Sequence, residues 1–208
     1  MNDSRERPTP FMRKNKMKEK ILKILKKHFI GLGQLDKINS LKMLFNEVQP
    51  NNYAEIGVDM GNTSYCLRKK FPNVNMYLID AWSLDGFPKD YKKPELREHY
   101  INEFDKREAL TRQKHPHSNT EIIKGLSVKT AKTFADGFFD IVFIDASHDY
   151  ESCKKDIEAW LPKVRKGGIL CGHDYTLGQF GVIKAVNEVI GCDNMNLMSG
   201  AVWVYRNE

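Results

Sequence analysis

Apolar positions recur along the chain in two rhythms. From Met17 to Phe29 they fall at Ile21, Leu22, Ile24, Leu25 and Phe29 with lysines between, which is the spacing of an amphipathic helix. Ser40 stands as an N-cap before a second helical run, "LKMLFNEV", which Pro50 ends. From there the pattern changes to short apolar runs alternating with helical ones. "NYAEIGV", "VNMYLIDAW", "EIIKGLS", "FFDIVFIDAS", "GGILCGHDY" and "AVWVYRN" read as strands. Between them "GNTSYCLRKKF", the short "SVKTAKTF", "SCKKDIEAWLPKV" and "GVIKAVNEVI" read as helices, the third stopped by Gly167 and Gly168.

Such alternation predicts an α/β fold with a mostly parallel sheet and helices on both faces. In these sheets ligands sit beyond the carboxyl ends of the strands. The chemistry is therefore expected at Gly57, Asp80, Gly125, Asp145 and Asp174. One stretch breaks the rhythm. Residues 84–118 are polar and rich in aromatics, with a helix expected from Pro94 to Leu110, and Tyr91, Tyr100 and Phe104 in it point to packing. An insertion at the ligand-facing edge of the sheet is expected to act as a lid.

A length of 208 residues allows one domain with a full core. The organisation expected is a basic extension and helix over residues 1–40, followed by the domain over 41–208. Much of the net charge of +6 lies in the N-terminal segment, which allows an anionic partner without requiring nucleic acid. Cys66, Cys153, Cys171 and Cys192 form no CxxC pair, as expected of reduced thiols in a cytoplasmic protein. No apolar run reaches the roughly 18 residues of a membrane span, and no secretory signal is expected. The oligomeric state stays open, a homo-oligomer included.

The turn after the first strand, "EIGVDMGNTS", carries Glu55, Gly57 and Gly61 in an acidic-x-Gly-x-x-x-Gly pattern. Glycines there let backbone approach a ligand. A dinucleotide site would want a glycine at position 59, where this chain has Asp. An aspartate at a helix N-terminus repels a pyrophosphate and accepts a cationic ligand. Asp80 ends the next strand and can take both hydroxyls of a ribose. The combination favours S-adenosylmethionine, with its sulfonium and ammonium, over NAD.

These residues, with "LIDAW", "GLS" and "DIVFIDASHDYESCKKDIEAWLPKVRKGGILCGHDY" and the following "GVIKAV", resemble class I S-adenosylmethionine-dependent methyltransferases, and among them the macrocin O-methyltransferase-like sugar O-methyltransferases. The resemblance runs from about Tyr53 to Val186 and implies a Rossmann-like, doubly wound, seven-stranded sheet whose last strand is antiparallel. It implies that Glu55 and Gly57 lie at the methionine end of the cofactor, that Asp80 holds the ribose, and that Gly125, Leu126 and Ser127 lie near adenine; Gly61 is expected to bind the cofactor as well. It also implies that Asp145 lies beside the methyl group and, with His173 and Asp174, holds a divalent metal such as Mg²⁺; His173 stands where relatives carry a carboxylate. His148 matches a proposed catalytic base, and the acceptor implied is the hydroxyl of a small molecule such as a sugar or glycoside.

The residues themselves leave alternatives. Two strands ending in His-Asp-Tyr bring Asp145 and Asp174 toward one volume, where a cation relieves their repulsion. His173 either joins such a cation or hydrogen-bonds nearby backbone, and His148 either takes a proton or caps the following helix. Tyr150 and Tyr175 are expected in the packing. His115 and His117 are expected in a solvated loop. Two other functions fit the pattern: a metal-free methyltransferase of another metabolite, and a catalytically silent fold that binds membrane or nucleic acid through residues 12–28.

Overall fold

The computed structural model describes residues 34–83, 85 and 94–208, and the side chains of 35–83, 85 and 101–208. The basic helix expected from Met17 to Phe29 and part of the insertion, with Tyr91 and the Tyr100 side chain, lie outside the described residues. In chain order the elements are α1 (Gln34–Val48), β1 (Asn52–Ile56), α2 (Asn62–Lys70), β2 (Asn75–Asp80), α3 (Pro94–Lys114), β3 (Thr120–Lys124), α4 (Ser127–Ala131), β4 (Phe139–Ile144), α5 (Tyr150–Trp160), β5 (Val164–Gly172), α6 (Phe180–Val189), β6 (Met195–Met198) and β7 (Val202–Arg206).

The strands form one sheet in the order β3-β2-β1-β4-β5-β7-β6. β1, β2, β3, β4 and β5 pair in parallel, and β7 runs antiparallel to both β5 and β6. This is the Rossmann-like sheet with an antiparallel last strand that the sequence implied. β6 carries "MNLM" and was not legible as a strand: it has four residues and no β-branched side chain.

Alternation along the strands feeds two cores. Val142 and Ile144 of β4 face a cluster with Ile157 and Trp160 of α5 and Val182, Ile183 and Val186 of α6. Ile141 and Phe143 face the other side, with Leu41, Leu44 and Phe45 of α1 and Leu67 of α2. Burial on both faces explains why β4 reads as a continuous apolar run from Ile141 to Ile144.

Two local expectations are corrected. Ser40 is not an N-cap: it lies inside α1, which spans Gln34–Val48, and its Oγ donates to Ser199 O at 2.7 Å. A boundary at residue 40 thus falls inside one helix. Gly167 and Gly168 do not stop α5, which ends at Trp160 and passes into a short 3₁₀ turn over Leu161–Lys163; both glycines belong to β5. Gly168 is needed there for space, since a Cβ on it would lie 2.8 Å from Asp140 O.

Phe139 is fully buried and makes edge or tilted contacts with Tyr77, Phe134, Phe138 and Trp160. Phe139→Ala is expected to cost about 3–5 kcal/mol, read as a lowered urea midpoint with unchanged far-UV circular dichroism. A loss under about 0.5 kcal/mol, within the range of an ordinary surface change, would show that this cluster carries little of the core.

Candidate active site

The parallel strands deliver their carboxyl ends to one edge. Gly57 N donates to Ile79 O at 2.9 Å, and Asp145 N donates to Ile56 O at 2.8 Å, which draws the ends of β1, β2 and β4 together. The approach is close enough to require glycine: Gly57 has φ +87°, and a Cβ on it would lie 2.3 Å from Asp145 O. Gly61 opens α2 in the left-handed region, and a Cβ there would press on His115 and Thr111 of the α3 end. His115 is therefore not a solvated loop residue. It is buried, and its Nε2 lies 3.1 Å from Gly61 O and 3.2 Å from Ser64 Oγ, tying the insertion to the turn.

Among the described residues a cavity of about 650 Å³ opens at this edge, a size suited to a small-molecule site. Its lining includes Gly57, Asp80, Leu126, Ser127, Asp145 and His148 of the expected set; Glu55, Gly61, Gly125, His173 and Asp174 are not part of it. Trp82, Phe104 and Arg107 also line it, so α3 of the insertion reaches the cavity. The acidic side chains Asp59, Asp80, Asp145, Asp149 and Asp156 face Arg107 and Lys155 around it, an excess that suits a cationic ligand.

Each oxygen of Asp80 accepts one backbone N–H, from Asp59 and Trp82, both at 2.8 Å. That holds the carboxylate in one orientation and leaves a lone pair on each oxygen. Burial raises its pKa against the backbone N–H groups of Trp82, Asp59 and Val58. Gly125 N donates to Asp80 O at 2.9 Å, which sets Leu126 at the start of α4. Ser127 Oγ accepts from Trp160 Nε1 at 2.8 Å. Asp156, on the buried face of α5, lies beside it, and burial pushes its pKa up to about 6 against the Ser127 hydrogen bond.

At the ends of β4 and β5 the charged groups interlock. His148 Nε2 lies 2.8 Å from Asp174 Oδ2. His173 Nδ1 lies 3.2 Å from the same oxygen and 3.4 Å from Asp145 Oδ1. Lys37 Nζ, from α1, donates to Asp145 Oδ2 at 2.7 Å. Burial would raise the pKa of Asp145 and of Asp174, but His173 and Lys37 outweigh it at the first, and His148 and His173 at the second; both carboxyls are held below their ordinary range. Burial would lower His173, and the two carboxylates override it, to about 9. The hydrogen bond to Asp174 raises His148. His148 does not cap α5: Asp149 does, accepting from Ser152 N at 3.0 Å.

Donor atoms of Asp145, His148 and Asp174 all lie within 4.8 Å of one another. Two carboxylate oxygens and an imidazole nitrogen fit a divalent ion with open positions for water or substrate. His173 Nδ1 lies 3.4 and 3.2 Å from the two carboxylates, but the donor set whose atoms converge holds His148 where the sequence reading had His173. Lys37 and Asp156 were missed. Each left a signal in the pattern, a charged residue at a helical interval from buried apolar ones: Leu41 and Leu44 for Lys37, Cys153 and Trp160 for Asp156.

The chain matches the family model described as a methyltransferase domain over residues 54–175, more than half its length. It belongs to that family, and the class its fold and family define is the S-adenosylmethionine-dependent methyltransferases. Several solved structures share the fold at low identity. The TDP-rhamnose 3'-O-methyltransferase of calicheamicin biosynthesis is 18% identical, with a TM-score of 0.55 over 97% of this chain and 96% of that one. The O-methyltransferase NovP is 16% identical, with a TM-score of 0.61 over 83% of this chain and 79% of that one. The MycE methyltransferase of mycinamycin biosynthesis, solved in complex with Mg and SAH, is 17% identical, with a TM-score of 0.50 over 90% of this chain and 49% of that one. No curated protein matches the sequence.

Glu55 is fully buried beside Lys37, Tyr53 and Ser64, and burial pushes its pKa from 4.5 up to about 8 against the Lys37 charge. Folding therefore takes up a proton at Glu55 between those values, and its contribution to stability declines as pH rises from about 4.5 to about 8. Glu55→Gln removes that decline. Its urea midpoint relative to the wild type is expected to rise from pH 5 to pH 8; a difference constant across that range would contradict the buried, protonated carboxyl.

Proposed function

We propose that this protein is an O-methyltransferase that transfers a methyl group from S-adenosylmethionine to a hydroxyl of a small molecule such as a sugar or glycoside, assisted by a divalent metal, with His148 as the base. The observation that carries the reading is the His148–Asp174 pair at 2.8 Å beside Asp145, at the strand edge where the cavity opens. The family supports the donor. The sugar O-methyltransferases among the structural neighbours favour the acceptor class.

S-adenosylmethionine supplies a methyl group on a positively charged sulfur. The excess of aspartates around the cavity suits that charge, and Asp80, with one lone pair left on each oxygen, suits the ribose hydroxyls. Leu126 and Ser127 are assigned to the adenine end, and Glu55, Gly57 and Gly61 to the methionine end. The acceptor oxygen attacks the methyl carbon in line with the carbon–sulfur bond, whose electron pair leaves on sulfur, and the acceptor's proton goes to His148. In the neutral imidazole Nε2–H donates to Asp174 Oδ2 and Nδ1 is the free acceptor. Asp174 then fixes the tautomer and steadies the imidazolium that forms. With a side chain 41% exposed, against 22% for His173, His148 is the better placed of the two to exchange its proton. Asp145 and Asp174, with His173 in reach, would hold the metal, which would acidify the acceptor hydroxyl. The insertion over residues 84–118 is assigned the role of a lid, in keeping with Phe104 and Arg107 at the cavity.

The test is methyl transfer to a panel of hydroxylated metabolites, with and without chelator, alongside calorimetry of S-adenosylmethionine binding. Turnover is expected only with a divalent ion, and full turnover after chelation would remove the metal from the mechanism. His148→Ala is expected to cut turnover about 10²–10⁴-fold while leaving cofactor and Mn²⁺ affinity near wild type. A loss of Mn²⁺ affinity in that variant would make His148 a metal ligand, and near-normal turnover would exclude it as the base.

A further inference from the structure

Lys37 enters the acidic cluster from an element that the chemistry at the strand ends does not otherwise involve. Its side chain is 7% exposed and that of Asp145 is 16% exposed, so the 2.7 Å pair between them is shielded from water. The two residues are 108 positions apart. Three further contacts fix where α1 runs. Gly200, in the turn between β6 and β7, has φ +72°, and a Cβ on it would lie 2.3 Å from Lys37 N. The turn therefore packs directly on the helix backbone at Lys37, which only a glycine allows. Ser40 Oγ donates to Ser199 O at 2.7 Å in the same turn. Tyr175 N donates to Ala201 O at 3.1 Å, joining that turn to the segment that carries His173 and Asp174.

The two oxygens of Asp145 face different groups. Oδ2 takes the Lys37 ammonium, and Oδ1 lies toward His173. A divalent ion held by Asp145 and Asp174 would share this small, poorly solvated volume with a fixed ammonium, and like charges there oppose each other. The ammonium also occupies the oxygen that a bidentate carboxylate would need.

We propose that Lys37 is the resident counter-ion of Asp145 and competes with a divalent cation for that carboxylate. The inference rests on the reading of Asp145 and Asp174 as metal ligands. Lys37 is a positioning residue in this account: it holds the Asp145 carboxylate in place when no ion is bound, and it sets how tightly an ion is taken.

The experiment is titration of the full-length protein with Mn²⁺, followed by electron paramagnetic resonance, for the wild type, Lys37→Met and Lys37→Arg. Lys37→Met is expected to bind Mn²⁺ at least about tenfold more tightly, because a fixed like charge has gone. Lys37→Arg keeps the charge and is expected to stay near the wild type. If Lys37→Met does not fold, Lys37→Gln carries the same expectation. Tighter binding in the uncharged variants alone supports the proposal, including the case in which only they bind Mn²⁺, which would refute metal assistance in the wild type. Equal or weaker binding in them overturns it, and wild-type Mn²⁺ binding would then leave the metal reading standing. Absence of Mn²⁺ binding in every variant overturns both, while calorimetry of S-adenosylmethionine binding reports separately on the methyltransferase reading.

Discussion

A carboxylate taken out of water at the end of β4 organises this edge of the molecule. Asp145 is mostly shielded from water and ionised, a state that is unstable without compensation. The compensation arrives from separate parts of the chain: Lys37 from α1 and His173 from the end of β5. Asp174 is bound to the same network through His173 and is held in turn by His148. Each carboxylate thus has two partners, Lys37 and His173 for Asp145 and His148 and His173 for Asp174, and His173 couples the two. The relative placement of α1, β4 and β5 is thus an electrostatic requirement as well as a packing one.

Backbone proximity is the second constraint, and it works through glycine. Gly57 lets β1 approach the Asp145 backbone, and Gly200 lets the β6–β7 turn reach α1. The first brings the carboxyl ends of two strands to one cavity. The second sets the helix that delivers Lys37. The insertion is fastened by the same logic: Gly61 leaves room for His115, and Asp59 O accepts from Trp82 Nε1 and Thr111 Oγ1, so the turn after β1 is held by β2 and by α3.

The fold and family make the protein a methyltransferase, and the cavity's acid-rich lining suits a donor that carries positive charge. Placing methyl donor and acceptor atom in line is mainly a matter of geometry, so the strand edge contributes by orientation. For the proposed reaction, the cluster of His148, His173, Asp145 and Asp174 holds the candidates for a base and for cation ligands. Gly57, Asp80, Leu126 and Ser127, from the end of β1 to the start of α4, line that one cavity.

Much of the architecture was legible in the sequence because its signals are local. Six of the seven strands, the helices between them and the strand-end positions of Gly57, Asp80, Gly125, Asp145 and Asp174 follow from apolar runs and turn residues, since burial on both faces of a parallel sheet leaves an unbroken apolar stretch. The four-residue "MNLM" strand had no such stretch and was recognised only as a partner of β7. Ser40, Gly167 and Gly168 were misread because capping and stop signals are statistical, whereas a hydrogen bond to Ser199 O and a close approach to Asp140 O are particular contacts. His115 looked solvated because nothing nearby in sequence says that a helix end will fold onto Gly61. Lys37 is the clearest case: among so many lysines, one is selected by a contact across 108 residues, and only the assembled sheet could decide which. Sequence determines which residue types stand at the ends of strands; the tertiary structure decides which charges must neutralise one another there, because that depends on distance and burial between elements remote in the chain.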